Sequence, residues 1–159
     1  MTNKRRIIAV IDLFSDPEMV SVEAMTLSNQ LSCEMRFVTL FDHLNTTPSG
    51  LSSQEQFQHC ENELMDRLRR HVKLMGAKEA LCSVLSGHAS EELGKLATQW
   101  GADLILADAA TARTIHQGWF PWLHPITPLP CRLHVVPPAP VNFLHTITNF
   151  LQFPKPKDC

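Results

Sequence analysis

Two aspartates stand where apolar runs end: Asp12 follows Ile7-Ile8-Ala9-Val10-Ile11, and Asp108 closes Leu104-Ile105-Leu106-Ala107. Short continuous apolar runs fit strands buried on both faces of a parallel sheet. In an open α/β sheet, ligands settle just past the carboxyl ends of such strands. Two carboxylates facing each other across that crevice would bind a cation or share a proton. A cation needs more ligands than two acids supply, and the sequence offers no compact set. His116, His124, His134 and Cys131 are scattered, and Cys131 and His134, three apart on one strand, point to opposite faces. No metal site is expected. Asp12 also has a local reading, as a cap on the backbone N–H groups of its own loop.

Other chemistry-bearing residues lead less far. Ser86, His88 and Ser90 lie near a strand end, but no Gly-x-Ser-x-Gly elbow surrounds them, so no hydrolase nucleophile is read. Ser83-Val84-Leu85-Ser86 lacks the phosphoacceptor aspartate of a receiver domain. Trp119, Phe120 and Trp122 form an aromatic cluster in a proline-rich loop. Such a cluster packs onto the sheet, plugs a ligand space, or anchors a partner.

The elements that must position these residues alternate. The first strand is Arg6 to Leu13. Asp16, Pro17 and Glu18 then open a helix as cap, first-turn proline and dipole partner, with Val20, Ala24, Leu27 and Leu31 facing the sheet. The second strand is Glu34 to Phe41, followed by a polar loop from Asp42 to Gly50. Ser52 and Glu55 have capping-box spacing and open a long helix with the stripe Phe57, Cys60, Leu64, Leu68, Val72 and Met75, stopped at Gly76. The third strand is Ala80 to Leu85, with a turn at Gly87. The next helix starts at Ser90, Glu91 and Glu92, presents Leu93, Leu96, Ala97 and Trp100, and ends at Gly101. The fourth strand is Ala102 to Asp108. Thr111 to Pro130 reads as irregular because of Pro121, Pro125, Pro128 and Pro130, with at most a short turn around Arg113 to Gln117. Cys131 to Val136 is the last strand. Asn142 to Phe153 has the pattern of a short amphipathic helix, and the tail from Pro154 reads as disordered.

Alternating strands and helices imply right-handed crossovers and a single doubly wound parallel sheet with helices on both faces. The 159 residues suit one core. The division expected is an α/β domain over 1–140 and a C-terminal extension over 141–159. A net charge of −2 recommends no nucleic-acid partner. No run approaches the roughly 20 apolar residues of a membrane span. Lys4, Arg5 and Arg6 read as a solvated strand entry. No leader is read at the amino end, and five widely spaced cysteines without a CxxC read as reduced thiols of a cytoplasmic protein.

The order of four segments resembles the universal stress protein family over roughly residues 5 to 137. Ile8-Ala9-Val10-Ile11-Asp12 resembles the opening strand and its terminal Asp. Ser86-Gly87-His88-Ala89 resembles the turn after the third strand. Ala102-Asp103-Leu104-Ile105-Leu106 resembles the fourth strand, and Arg132-Leu133-His134-Val135-Val136 the closing one. The resemblance implies a five-stranded sheet of order 3-2-1-4-5, the universal-stress/adenine-nucleotide-hydrolase-like arrangement, and usually a dimer. It places Asp12, Leu40, Asp108 and Thr111 at the family's nucleotide pocket. It also implies two sub-types, one of which binds ATP through Gly, two residues, Gly, nine residues, then Gly and Ser or Thr.

Laid from the fourth strand without gaps, that motif falls on Asp108, Thr111, Pro121 and Trp122, and none matches. Glycines in such a loop let backbone N–H groups reach phosphate oxygens and adopt positive φ. Thr111 resists positive φ, Pro121 has no N–H to give, and Asp108 would set a carboxylate against the phosphates. Gly118 is a lone glycine in this stretch. The expectation is a non-catalytic regulatory or protective module of the universal stress type, without a cofactor and without tight ATP or AMP binding. It would be a homodimer seamed along Cys131 to Val136 and would act on an unknown protein partner. The alternative is a small-molecule or adenine-nucleotide binder using a remodelled crevice near Asp12 and Asp108. An ATPase ranks behind both.

Overall fold

Strands β1 (Arg6–Val10), β2 (Glu34–Phe41), β3 (Leu81–Ser86), β4 (Leu104–Asp108) and β5 (Arg132–Val136) form one sheet in the computed structural model, which describes residues 4–41, 53–117 and 127–138. The order is β3-β2-β1-β4-β5, and every pairing is parallel. The parallel direction is the one that the alternation of strand and helix calls for, and the order is the one that the family resemblance implies. Helices α1 (Pro17–Leu31), α2 (Ser53–Leu74), α3 (Ala89–Trp100) and α4 (Ala109–Gln117) complete the described elements.

Period-two alternation along the strands divides the core into two layers. Ile7, Ala9, Phe37 and Leu106 face α1 and α2, where Val20, Ala24, Leu64 and Leu68 meet them. Ile8, Val10, Val38, Ile105 and Ala107 face α3 and α4, against Leu93, Ala97, Ala112 and Ile115. Nothing polar interrupts the centre of β1, where Ile7 to Val10 are at most 1% exposed. Helices therefore cover both faces and leave the two outer strands as the sheet's open margins.

The entry to the sheet is tied by polar groups. The backbone N–H of Arg6 donates to Asp103 Oδ2 at 2.9 Å, and the Asp103 N–H donates to the Arg6 carbonyl at 2.8 Å. The Arg6 guanidinium donates to Glu34 Oε2 at 3.0 Å and to the Trp100 carbonyl at 2.8 Å. Arg6 thus works as a strand-entry clasp. Gly101 ends α3 with φ 69°, its N–H turned to the Ala97 and Thr98 carbonyls. An added Cβ there would sit 3.4 Å from the Arg6 guanidinium, so this turn carries both a left-handed backbone and a close approach.

Several local readings change. The stretch after β4 is a regular nine-residue helix, α4, beginning at Ala109, not an irregular segment with a short turn. Ala109, Ala110 and Ala112 are strong helix formers, and the prolines start too far downstream to break it. Asp16 occupies the N-cap position of α1 but makes no side-chain cap bond, and its Oδ1 is buried without a partner. Leu31, expected on the sheet side, is 45% exposed, because α1 turns out at Ser32 with φ 51°. Cys60 is fully buried and disulfide-bonded, against the expectation of reduced thiols throughout, while Cys33, Cys82 and Cys131 are free. The Asp42 to Gly50 loop, Ser52, Gly118, the Trp119-Phe120-Pro121-Trp122 cluster, His124, the boundary at 140 and the C-terminal helix lie outside the described residues. Among the described residues, no helix is long and apolar enough to cross a membrane.

Candidate functional site

The chain order reverses between β1 and β4: from β1 the sheet grows through β2 to β3 on one side and through β4 to β5 on the other. The crevice beyond that switch point is where doubly wound sheets take ligands. Asp12 and Asp108 flank it. Ile7, Ile8 and Ala9 pair with Leu104, Ile105 and Leu106, which carries both strands to the same end of the sheet. Leu40 reaches that end on β2, two residues beyond Val38, which pairs with Val10. Leu40 is half-buried and packs with the α3–α4 layer.

Asp108 is buried and turned into its own chain. Its Oδ1 accepts the Thr111 backbone N–H at 2.8 Å, and its Oδ2 accepts the Thr111 hydroxyl at 2.7 Å. These bonds make Asp108 the N-cap of α4, with both carboxylate oxygens engaged. The first turn of a helix presents unpaired N–H groups and a partial positive charge, the features that bind phosphate in nucleotide sites. Here a side-chain anion holds that position. Thr111 is 8% exposed on the first turn of α4, so its place in the family motif is a helix and not a glycine loop.

Asp12 has a different environment. Its Oδ1 accepts the Phe14 N–H at 2.9 Å, the loop-capping arrangement. Its pKa is raised, first by burial and further by the charge of Asp108, while the Phe14 and Ser15 backbone N–H groups oppose the rise. The two carboxylates therefore share one electrostatic neighbourhood. Among the described residues, no group of three or more His, Cys, Asp or Glu side chains is placed to hold a metal ion.

A second polar arrangement lies in the core between α1 and α2 and was not read from the sequence. His71 is 5% exposed, and its Nε2 lies 2.7 Å from Ser21 Oγ, which itself donates to the Pro17 carbonyl at 2.8 Å. The single hydroxyl proton goes to the carbonyl, so the imidazole Nε2–H is the donor to Ser21. The Ser21 proton is directed at the Pro17 carbonyl and not at the imidazole, so His71 is not placed as its base. The relay is a buried structural bond, and burial depresses the His71 pKa despite the nearby Glu18. The available signal was position: His71 precedes Val72 on the apolar stripe of α2 and falls on its inner face.

No protein-family model matches the chain, and no curated protein matches it significantly. Solved structures do match. A universal stress family protein from Burkholderia pseudomallei is 15% identical, with TM-score 0.56, over 84% of this chain and 96% of that one. A universal stress protein from Lactobacillus plantarum is 13% identical, with TM-score 0.54, over 86% of this chain and 100% of that one. A hypothetical protein is 13% identical, with TM-score 0.54, over 87% of this chain and 99% of that one. The chain has the universal stress protein fold, as the sequence resemblance implies.

Opposite signs are expected at the two aspartates. Asp108→Ala removes the α4 cap and should cost about 1 kcal/mol, seen as a fall of a few degrees in melting temperature. Asp12→Asn keeps an acceptor for Phe14 but removes a disfavoured charge, and should raise the melting temperature at pH 7. For His71, the depressed pKa means the unfolded chain takes up a proton first. Stability should therefore be full above the unfolded value of 6.5 and decline as pH falls through it toward the lower folded value. Urea unfolding at pH 7.5 and 5.5 should show this loss, and His71→Gln should abolish the His-dependent part.

Proposed function

We propose that the chain is a non-catalytic regulatory or protective module of the universal stress type, of the sub-type without the glycine motif, that does not bind ATP tightly. The observation that carries this reading is the engagement of Asp108 with Thr111 at the start of α4. A triphosphate seated there would have to displace a covalently attached carboxylate from the same N–H group, or approach it against like charge in a partly dry crevice. Asp12, Leu40, Asp108 and Thr111 are then a pocket whose phosphate end is closed. Isothermal titration with ATP and Mg²⁺ should give no micromolar binding isotherm, and the melting temperature should not rise at millimolar ATP. A micromolar affinity overturns the reading.

A nucleoside or another uncharged small molecule is the second reading, and Asp12 favours it. A half-buried carboxylate with a raised pKa is a potential hydrogen-bonding group at a switch-point crevice. Such a ligand would leave Asp108 in place.

The proposed module is a homodimer through β5 that acts by contact with a protein partner. In support, β5 pairs with β4 alone among the described strands, and Val135 is 43% exposed on it. Cytoplasmic residence belongs to the same proposal. The free thiols of Cys33, Cys82 and Cys131 support it, and the Cys60 disulfide is the contrary observation. Sedimentation should find a dimer, and Val135→Lys should shift it to monomer without loss of helical signal. Dimerisation undisturbed by that change removes β5 as the seam.

A further inference from the structure

The two margins of the sheet are guarded differently. β5 carries Arg132 and His134 and is bracketed by Pro130, Pro137 and Pro138, devices that discourage main-chain addition of a strand but leave side chains such as Val135 available to meet in the dimer proposed above. The opposite margin, β3, reads Leu81-Cys82-Ser83-Val84-Leu85-Ser86 and has no charge, proline or glycine. Among the described residues it pairs only with β2, and Leu81 at its start is 48% exposed. An unguarded apolar strand of six residues is a template for one more strand.

Beside the start of this strand runs a groove of about 520 Å³ between β3 and the end of α2. Val72, Leu81 and Cys82 are among its apolar lining residues, and Arg69, Lys73 and Lys78 are its charged ones. All three cations are exposed, and none takes part in the ion pairs of the described residues. Among the described residues no acid lines the groove; Glu79, next to Lys78, lines the adjoining hollow instead. Arg69 and Lys73 are four apart on α2, a spacing at which like charges weaken a helix until an anion arrives. Arg69 lies near enough to the strand to pull the Cys82 pKa down, against the larger upward push of burial.

We propose that the β3 margin is a docking site for an extended acidic segment of a partner protein. The segment pairs with the main chain of β3 and sets its carboxylates against Arg69, Lys73 and Lys78. Charge selects this occupant. Of the segments of this chain outside the described residues, 1–3 and 118–126 carry no acid, 42–52 carries Asp42 as its sole acid, and 139–159 carries Asp158 beside Lys155 and Lys157. A second copy adding through β3 brings a strand without any acid. This surface is remote from the crevice and stands whether or not the crevice takes a ligand.

The test uses the full chain and a fluorescein-labelled peptide alternating glutamate and valine. Anisotropy at low salt should show binding in the range of tens of micromolar, weakened about tenfold when the salt is raised severalfold, as exposed charge pairs require. Amide exchange over Leu81–Ser86 should slow on binding. Arg69→Glu with Lys73→Glu, checked for fold by circular dichroism, should weaken binding at least tenfold, as should Lys78→Glu in part. The lysine-for-glutamate peptide should not bind. N-methylation of alternate peptide amides should abolish binding, because strand pairing needs those donors. Absence of binding overturns the proposal. Equal binding of the N-methylated peptide overturns it too, leaving a bare anion patch. Protection, in the free chain at low concentration, of those Leu81–Ser86 amides that point away from β2 shows one of the chain's own segments on the edge. Protection that grows with protein concentration shows a second copy there, and either result overturns the acidic partner.

Discussion

The carboxylate of Asp108 and the first turn of α4 satisfy each other so fully that the helix, the strand before it and the crevice above them become one unit. Burial of a carboxylate is costly unless its oxygens find donors. Here the Thr111 N–H and hydroxyl supply them at 2.8 and 2.7 Å. The first of these contacts also meets one of the helix's own leading N–H groups, that of Thr111. A helix that starts directly at a strand end leaves no slack for a loop to wrap a phosphate chain. One side chain thus nucleates an element and occupies the place where an anionic ligand would be held.

Asp12 lives with the result. It lies on the neighbouring strand end, and its charge is disfavoured by burial and by the Asp108 carboxylate. What holds the two acids in this proximity is the opposite end of the sheet. The reciprocal bonds between Arg6 and Asp103 lock β1 and β4 in register, so that Ile7 meets Leu104 and every later pair follows. A slip by one residue would send the inward side chains of β1 to the wrong face. The clasp at one end therefore determines the electrostatics at the other, through two rigid strands with no exposed side chain between.

Much of this was legible in the residues. Apolar runs that end at Asp12 and Asp108, the second preceded by the turn at Gly101, mark the strands, and their alternation with helices requires a parallel sheet. The misreadings have physical causes. The prolines that suggest an irregular segment lie too far downstream to break α4, and Asp108-Ala109-Ala110-Thr111 is itself a capping sequence with good helix formers. Asp16 has the right type and position for a cap but its backbone, at φ −125° and ψ 82°, does not bring the carboxylate onto the helix N–H groups. The Ser21–His71 bond joins residues 50 apart in sequence, and no local pattern encodes such a meeting. Helical spacing placed Leu31 inward, but α1 leaves the sheet at Ser32.

Beyond the crevice flanked by Asp12 and Asp108, the fold has recognition capacity at its margins. A doubly wound sheet covered on both faces has free main-chain donors and acceptors along its outer strands. The two outer strands here are unlike in a way that burial alone does not explain. β5 carries Arg132 and His134 and is flanked by prolines that limit main-chain pairing, while β3 is uncharged and lies beside three exposed cations gathered from α2 and the following turn. Cations placed along an apolar edge lower the cost of bringing an acidic strand out of water, since charge and main-chain donors are met together. The same cations repel a basic strand, so the edge discriminates by sign before any side-chain pocket is used. Selectivity of that kind needs neither a deep cavity nor a cofactor.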